Sequence, residues 1–322
     1  MKLTRRAVLL AQETALTPRA DLANVLEAEV VARRRLAPDV FSMIAGGDRS
    51  FFERITFRPR MMVNTTALDL SVELFGEKLF APILVGPAAR QQMFHAEGEL
   101  AMVRGAAAAK TPVVVSGDSS FPIEKIAAEA KTALWYQVFP DEDINAVRGR
   151  ALAAVKAGCK AVCVTVGANG RGTPHLSWNM IDQIRRGLGV PVVLKGVMTG
   201  EDATEAVKRG IEGVIVSNYG GLLGLVSPME MLPVITDAVG GKVPVLVDGG
   251  FRRGSDILKA LAFGARAVLV SRPALWGLAA YGADGVQTVL EMLQTELGRS
   301  ASQCGKVNVK AIDRSVVKVH RA

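Results

Sequence analysis

The chain has 322 residues, 49% of them hydrophobic and 22% charged, with a formal net charge of +8. That balance excludes a disordered chain, and the length allows one large domain or two ordinary ones. No apolar stretch reaches the roughly 18 residues of a membrane-spanning helix. Aromatic residues make up only 5% and the basic residues are scattered, so neither a span nor a nucleic-acid surface is expected.

The first residues, MKLTRRAVLLA, hold a twin arginine, but AVLLA is shorter than the roughly 7–15 apolar residues of an export signal, and Gln12 and Glu13 come at once after it. A cytoplasmic protein is expected, with export through a twin-arginine signal as the minor alternative. Residues 16–37 read as a polar helical stretch, succeeded by the glycine turn AGGDRS, FRPR at 57–60, and LDLSVELFGEKL as a small hairpin. Residues 1–80 are therefore expected to be an N-terminal extension packed on the remainder of the chain, with one structural domain overall.

From residue 81 the chain alternates. Strand-length apolar runs recur at 81–89, 111–120, 133–139, 161–167, 191–196, 213–221, 244–250 and 267–273. Apolar residues without alternation suit parallel strands buried on both faces. Helix-patterned segments lie between them, several ending in Gly, with Ser255 and Asp256 read as capping one start. Eight such repeats predict a (β/α)8 TIM barrel over residues 81–322, ending in the amphipathic helix VQTVLEMLQTELG and a tail. An open dinucleotide fold needs G-x-G-x-x-G after its first strand, and this chain has GPAARQ. Cys159, Cys163 and Cys304 include no C-x-x-C pair, so neither disulfides nor a metal site is expected.

Barrel enzymes work at the carboxyl ends of their strands. Those ends carry Pro87, Ala88 and Ala89, then Ser116, Gln137, Thr165, Lys195, Ser217 with Asn218 and Tyr219, Asp248 with Gly249 and Gly250, and Ser271 with Arg272. A lysine closing the apolar strand VVLKG needs a partner anion, which is either a ligand or a structural ion pair. DGGFRRGSD offers glycines, arginines and a helix start whose free N–H groups attract anions, and SRP stands at the end of the last strand. A phosphorylated cofactor or substrate is expected there.

Several segments carry a resemblance. AGGDRSFFERITFRPR, ILVGPAARQQMFHAEGE, LWYQVF, HLSWNMIDQIR, PVVLKGVMTGEDATEAVKRGIEGVIVSNYGG and DGGFRRGSDILKALAFGARAVLVSRP resemble the FMN-dependent 2-hydroxy-acid dehydrogenases and oxidases, the family of glycolate oxidase, flavocytochrome b2 and L-lactate dehydrogenase. The match runs from about Phe41 to Arg314. It implies a (β/α)8 barrel, FMN as cofactor, a small-molecule substrate and a homo-oligomer, tetrameric in the family. Carried over by position, Pro87, Ala88 and Ala89 border the flavin ring, while Ser116, Gln137 and Thr165 bind its polar edge. Lys195 stabilises negative charge on the reduced ring, with Ser217 beside it. Asp248 holds the ribityl chain, and Gly249, Gly250, Arg252, Ser271 and Arg272 hold the phosphate, Ser271 standing where the family has glycine.

The substrate side departs from the family. Where the family motif SNHGGRQ supplies a histidine base and a carboxylate-binding arginine, this chain has Tyr219 and Leu222. Two family tyrosines are replaced by Met43 and Phe139, and the aspartate that orients the histidine by Gly167. Arg171 stands near the family's second carboxylate-binding arginine, and His175 is the one histidine placed to substitute as base. A free phenol titrates near pH 10, too high for a base at neutral pH. Three readings stay open: an FMN-dependent oxidoreductase acting on a CH–OH group through a divergent substrate site, a reductase-type flavoprotein with Tyr219 as proton donor, and an inactive FMN-binding homologue.

Overall fold

The computed structural model describes residues 16–140, 143–167, 176–221 and 226–320. Three short strands precede the barrel: β1 (Ile55–Phe57), β2 (Val72–Leu74) and β3 (Glu77–Leu79). The barrel consists of β4 (Ile83–Val85), β5 (Val113–Ser116), β6 (Leu134–Val138), β7 (Ala161–Thr165), β8 (Val192–Val197), β9 (Gly213–Val216), β10 (Val245–Asp248) and β11 (Ala267–Val270). All eight pair in parallel with their sequence neighbours, and β11 closes on β4. The eight apolar runs thus form the expected (β/α)8 barrel.

Each barrel strand alternates between two cores. Leu84, Val114, Trp135, Cys163, Val193, Ile215, Leu246 and Leu269 point inward as one cluster, while their neighbours face the helices in another. The β2–β3 pair forms the expected hairpin and stoppers the lower end, with Val72, Leu74 and Leu79 joining the inner cluster and Phe75 stacked 5.4 Å from Trp135. Among the described residues a cavity lies at the upper end, where the strands finish.

The N-terminal segment differs from one continuous helix over 16–37. A single turn at Arg19–Asp21 precedes a helix over Val25–Arg35, started by Asn24, whose side chain accepts from Leu26 N at 2.9 Å. Val25, Ala28, Val31 and Ala32 form a narrow buried stripe that a polar average conceals, and it lies against the long helix Arg272–Gln303. That helix begins earlier than its apolar pattern indicated and bends at Tyr281 and Gly282, so VQTVLEMLQTELG is only its second arm. β12 (Val317–Val319) returns to pair antiparallel with β1. Among the described residues no helix is long and apolar enough to cross a membrane.

Candidate active site

The two-residue period of the strands builds the upper layer. Two positions beyond each inward apolar residue stand Gly86, Ser116, Gln137, Thr165, Lys195, Ser217, Asp248 and Ser271, one from each strand or the first residue after it. An inward phase fixed by apolar contacts therefore brings these polar groups together at the mouth. Ser116, Gln137, Thr165, Lys195 and Ser217 are all at most 5% exposed.

Lys195 is the centre of this layer. Its Nζ lies 2.8 Å from Asp248 Oδ2, donates to Ser217 Oγ at 2.7 Å, and sits 4.9 Å from the centroid of the Tyr219 ring. The partner anion demanded by a buried lysine is thus Asp248. A register shift between Lys195 and Val197 marks a bulge, and Gly196 there has φ +109°. A side chain on Gly196 would strike Val166 O and approach Tyr219 Oη at 2.6 Å, so only glycine fits. Tyr219 has φ +56°, a left-handed conformation unusual for a bulky residue. Burial, and then the charge of Asp248, push its phenol well above its ordinary range. It stays protonated at neutral pH.

The other side of the mouth is arginine-rich. Arg252 is 4% exposed, stacks 4.5 Å from the Trp276 ring, and donates to Gly46 O and Phe251 O. Arg272 donates to Gly220 O at 3.0 Å. Burial, and next the neighbouring Arg272, lower the Arg252 pKa to about 10. Both cations thus rest on backbone carbonyls and retain their full positive charge at neutral pH. The helix start after β10 bears out one of the two residues read as capping it. Asp256, not Ser255, completes the cap: its Oδ2 accepts from Arg252 N at 2.9 Å and Arg253 N at 3.0 Å, while Glu296 takes Gly254 N. Those amides are occupied by carboxylates, so the anion-attracting groups at this end are the two guanidiniums and the start of the Arg272–Gln303 helix.

The segment AGGDRS, read in sequence as a glycine turn within the extension, closes over these arginines. A side chain on Gly47 would lie 2.8 Å from an Arg272 nitrogen and 2.9 Å from one of Arg252. Asp48 O approaches Gly250 so closely that a Cβ there would be 2.5 Å away, and Arg49 binds both Gly250 O and Asp256. Trp276 Nε1 donates to Ile44 O at 2.9 Å and ties the same segment down. The doubled glycine was the visible signal. Which strands it would meet was not.

A cavity of about 350 Å³ opens here, lined by Pro87, Ala88, Ala89, Arg90, Lys195, Tyr219, Asp248, Gly249, Gly250, Arg252, Ser271 and Arg272 among others. Its size suits a cofactor-sized ligand. Ser116, Gln137, Thr165 and Ser217 stand in the layer beside it rather than on its walls. Met43, Met93 and Phe94 also line it and carried no sequence signal of their own beyond the Met43 replacement. Gln137 Nε2, Thr165 Oγ1, Tyr219 Oη and Asp248 Oδ1 are buried without any hydrogen-bond partner among the described residues. Each such orphan costs about 1–3 kcal/mol, and together they form a donor and acceptor set that a polar ring with a hydroxylated, phosphorylated tail would satisfy. FMN is such a group, and the residues present fit it. Leu222, Arg171 and His175 lie outside the described residues.

A family described as FMN-dependent dehydrogenase matches residues 32–173 and 167–319. The chain belongs to that family. It is 34% identical to L-lactate oxidase of Nostoc sp., over 91% of this chain and 97% of that protein. It is 37% identical to 2-hydroxyacid oxidase 1 of Mus musculus, over 83% and 86%. Mandelate oxidase crystallised with (S)-2-phenylpropionate superposes with a TM-score of 0.88 at 36% identity, covering 94% of this chain and all of that one. The protein is accordingly an FMN-dependent oxidoreductase, and its cofactor is FMN.

Proposed function

We propose that the protein oxidises the CH–OH carbon of a 2-hydroxy acid or a related activated alcohol, through a substrate site that lacks the usual histidine base. The observation carrying this is Tyr219. Its hydroxyl is buried, unpartnered among the described residues and held in the protonated form, directly beside the Lys195–Asp248 pair. FMN, when bound, supplies the acceptor for the hydride leaving that carbon. Lys195 holds the negative charge that accumulates nearby, and Tyr219 offers a neutral hydroxyl to the substrate oxygen rather than removing its proton, which passes to solvent water as the hydride leaves. Arg252, Arg272, Gly249, Gly250 and Ser271 hold the phosphate, Asp248 the ribityl chain, and Ser116, Gln137, Thr165 and Ser217 the polar edge of the ring, which Pro87, Ala88 and Ala89 flank. The relatives named for lactate, 2-hydroxy acids and mandelate support the substrate class. A homo-oligomer, tetrameric by family resemblance, in the cytoplasm belongs to the same proposal.

The test is anaerobic mixing of the yellow holoenzyme with L-lactate, glycolate and mandelate in a stopped-flow spectrophotometer. Without a base at residue 219, flavin bleaching is expected to be slow with all three. Bleaching at hundreds per second by any of them would overturn the role given to Tyr219.

A further inference from the structure

Among the described residues four cations line the cavity: Arg90, Lys195, Arg252 and Arg272. Lys195 is paired with Asp248, and the arginines at 252 and 272 are seated on backbone carbonyls. Arg90 differs from all three. Its guanidinium has no hydrogen bond, ion pair or ring contact among the described residues, yet it belongs to the cavity wall directly after Pro87, Ala88 and Ala89.

The mounting of Arg90 is as telling as its charge. Its backbone is left-handed, φ +47°, at a residue with a long side chain. Such outliers persist only where the surroundings hold them. Here Arg90 N donates to Asp118 O at 3.0 Å, and its carbonyl accepts from Met93 N at 3.0 Å. The neighbouring Glu99, 2% exposed, accepts from Gln91 N and Ser120 N, and Ser120 Oγ accepts from Gln92 N. The loops after β4 and β5 are thereby fastened into one platform carrying Arg90. A surface arginine that only keeps the protein soluble needs no such platform.

We propose that Arg90 is the anchor for the substrate's carboxylate. The inference rests on the reading of this mouth as the substrate site and adds how an anion is held there when residue 222 is leucine. In the closed strand order, β4 lies three places from β9, with β11 and β10 between them. The anchor is therefore displaced well around the rim from the turn after β9, where the family motif would put its arginine. β4 also borders β11, so Arg90 shares one cavity with the phosphate arginines that follow β10 and β11 and with Lys195 and Tyr219. A guanidinium also offers the paired N–H geometry that a carboxylate accepts.

The experiment measures binding, not turnover. Oxalate and pyruvate are titrated into the oxidised holoenzyme and into Arg90→Met and Arg90→Lys, with the perturbation of the flavin spectrum as readout and pyruvamide as the neutral control. Arg90→Met is expected to weaken both carboxylates at least tenfold, about 1.4 kcal/mol, leaving pyruvamide and the FMN dissociation constant unchanged. Arg90→Lys should recover part of the loss. Equal carboxylate affinities in wild type and Arg90→Met, no carboxylate binding by the wild type, or a parallel loss of FMN would each overturn the proposal. Carboxylates that bind through Arg90 without any tested alcohol bleaching the flavin would sink the proposed reaction and leave the anchor standing.

Discussion

The two halves of the barrel mouth use charge in opposite ways. At β10 and β11 two guanidiniums lie close together, propped on carbonyls of Gly46, Phe251 and Gly220, with their charge left available. Across β8 and β9 the lysine is already matched by Asp248 and Ser217, and the adjoining tyrosine is a neutral phenol. The first half is built to take up an anion from outside. The second is built to hold a local charge balance that shifts when electrons arrive. Cofactor binding and substrate chemistry can therefore diverge separately except at Asp248, the β10 residue that joins the two halves.

Breaking the first half should have the largest effect. Arg252→Ala is expected to weaken FMN binding by 100-fold or more, about 3 kcal/mol, because a desolvated charge-assisted contact is lost. Fluorescence titration of the apoprotein with FMN measures it, and tight binding by the variant would remove the contrast between the halves. In the second half, Lys195→Met should leave FMN bound but reduce affinity for sulfite, which forms an anionic flavin adduct, by about tenfold or more. An unchanged adduct would mean that Asp248 neutralises the lysine fully.

Tyr219→His sharpens the comparison further. Histidine adopts left-handed φ more readily than tyrosine and titrates near neutrality. Anaerobic bleaching by L-lactate is expected to speed up about tenfold, less than a complete base would give, since Gly167 offers no carboxylate to orient the new imidazole. No acceleration would show that orientation, not the base, limits the reaction.

A smaller effect comes from pH. Phosphate binding needs charged Arg252, whose pKa without FMN is lowered to about 10. FMN affinity should thus be full below that pH and fall as the pH rises through it. The stability of the cofactor-free fold moves the other way: its depressed cation is a burden at neutral pH, relieved as the pH climbs from about 10 toward the ordinary arginine range. Thermal melts with and without FMN from pH 7 to 10.5 should converge at the alkaline end. Least visible of all, Cys163, with its thiol pushed up to about 12 by burial, should resist alkylation in the native protein.

Much of this was legible in the chain. Lys195, Asp248, Ser116, Gln137 and Thr165 fall two residues beyond inward-facing apolar positions, and a period of two needs no tertiary knowledge to trace. Tyr219 was visible for the same reason, as a departure from a motif of fixed spacing. Of the two residues read as capping the helix after β10, Asp256 does so and Ser255 does not, because only the longer-reaching carboxylate at the third helical position folds back on the amides of Arg252 and Arg253. The AGGDRS turn over the phosphate arginines was legible as a turn but not as a wall, since its contacts span about two hundred residues, from Arg49 to Gly250 and Asp256.

The sequence by itself determined the alternation of strands and helices, the inward phase of each strand, and hence which polar side chains would crown the barrel. Those properties are local and repeat with the geometry of the backbone. Only the tertiary structure decided that Lys195 is paired with Asp248, that Arg252 rests on Trp276 beneath the glycine turn, and that the Arg90 guanidinium stands at the rim without a partner among the described residues. Such facts depend on which distant segments meet, and no period along the chain encodes them.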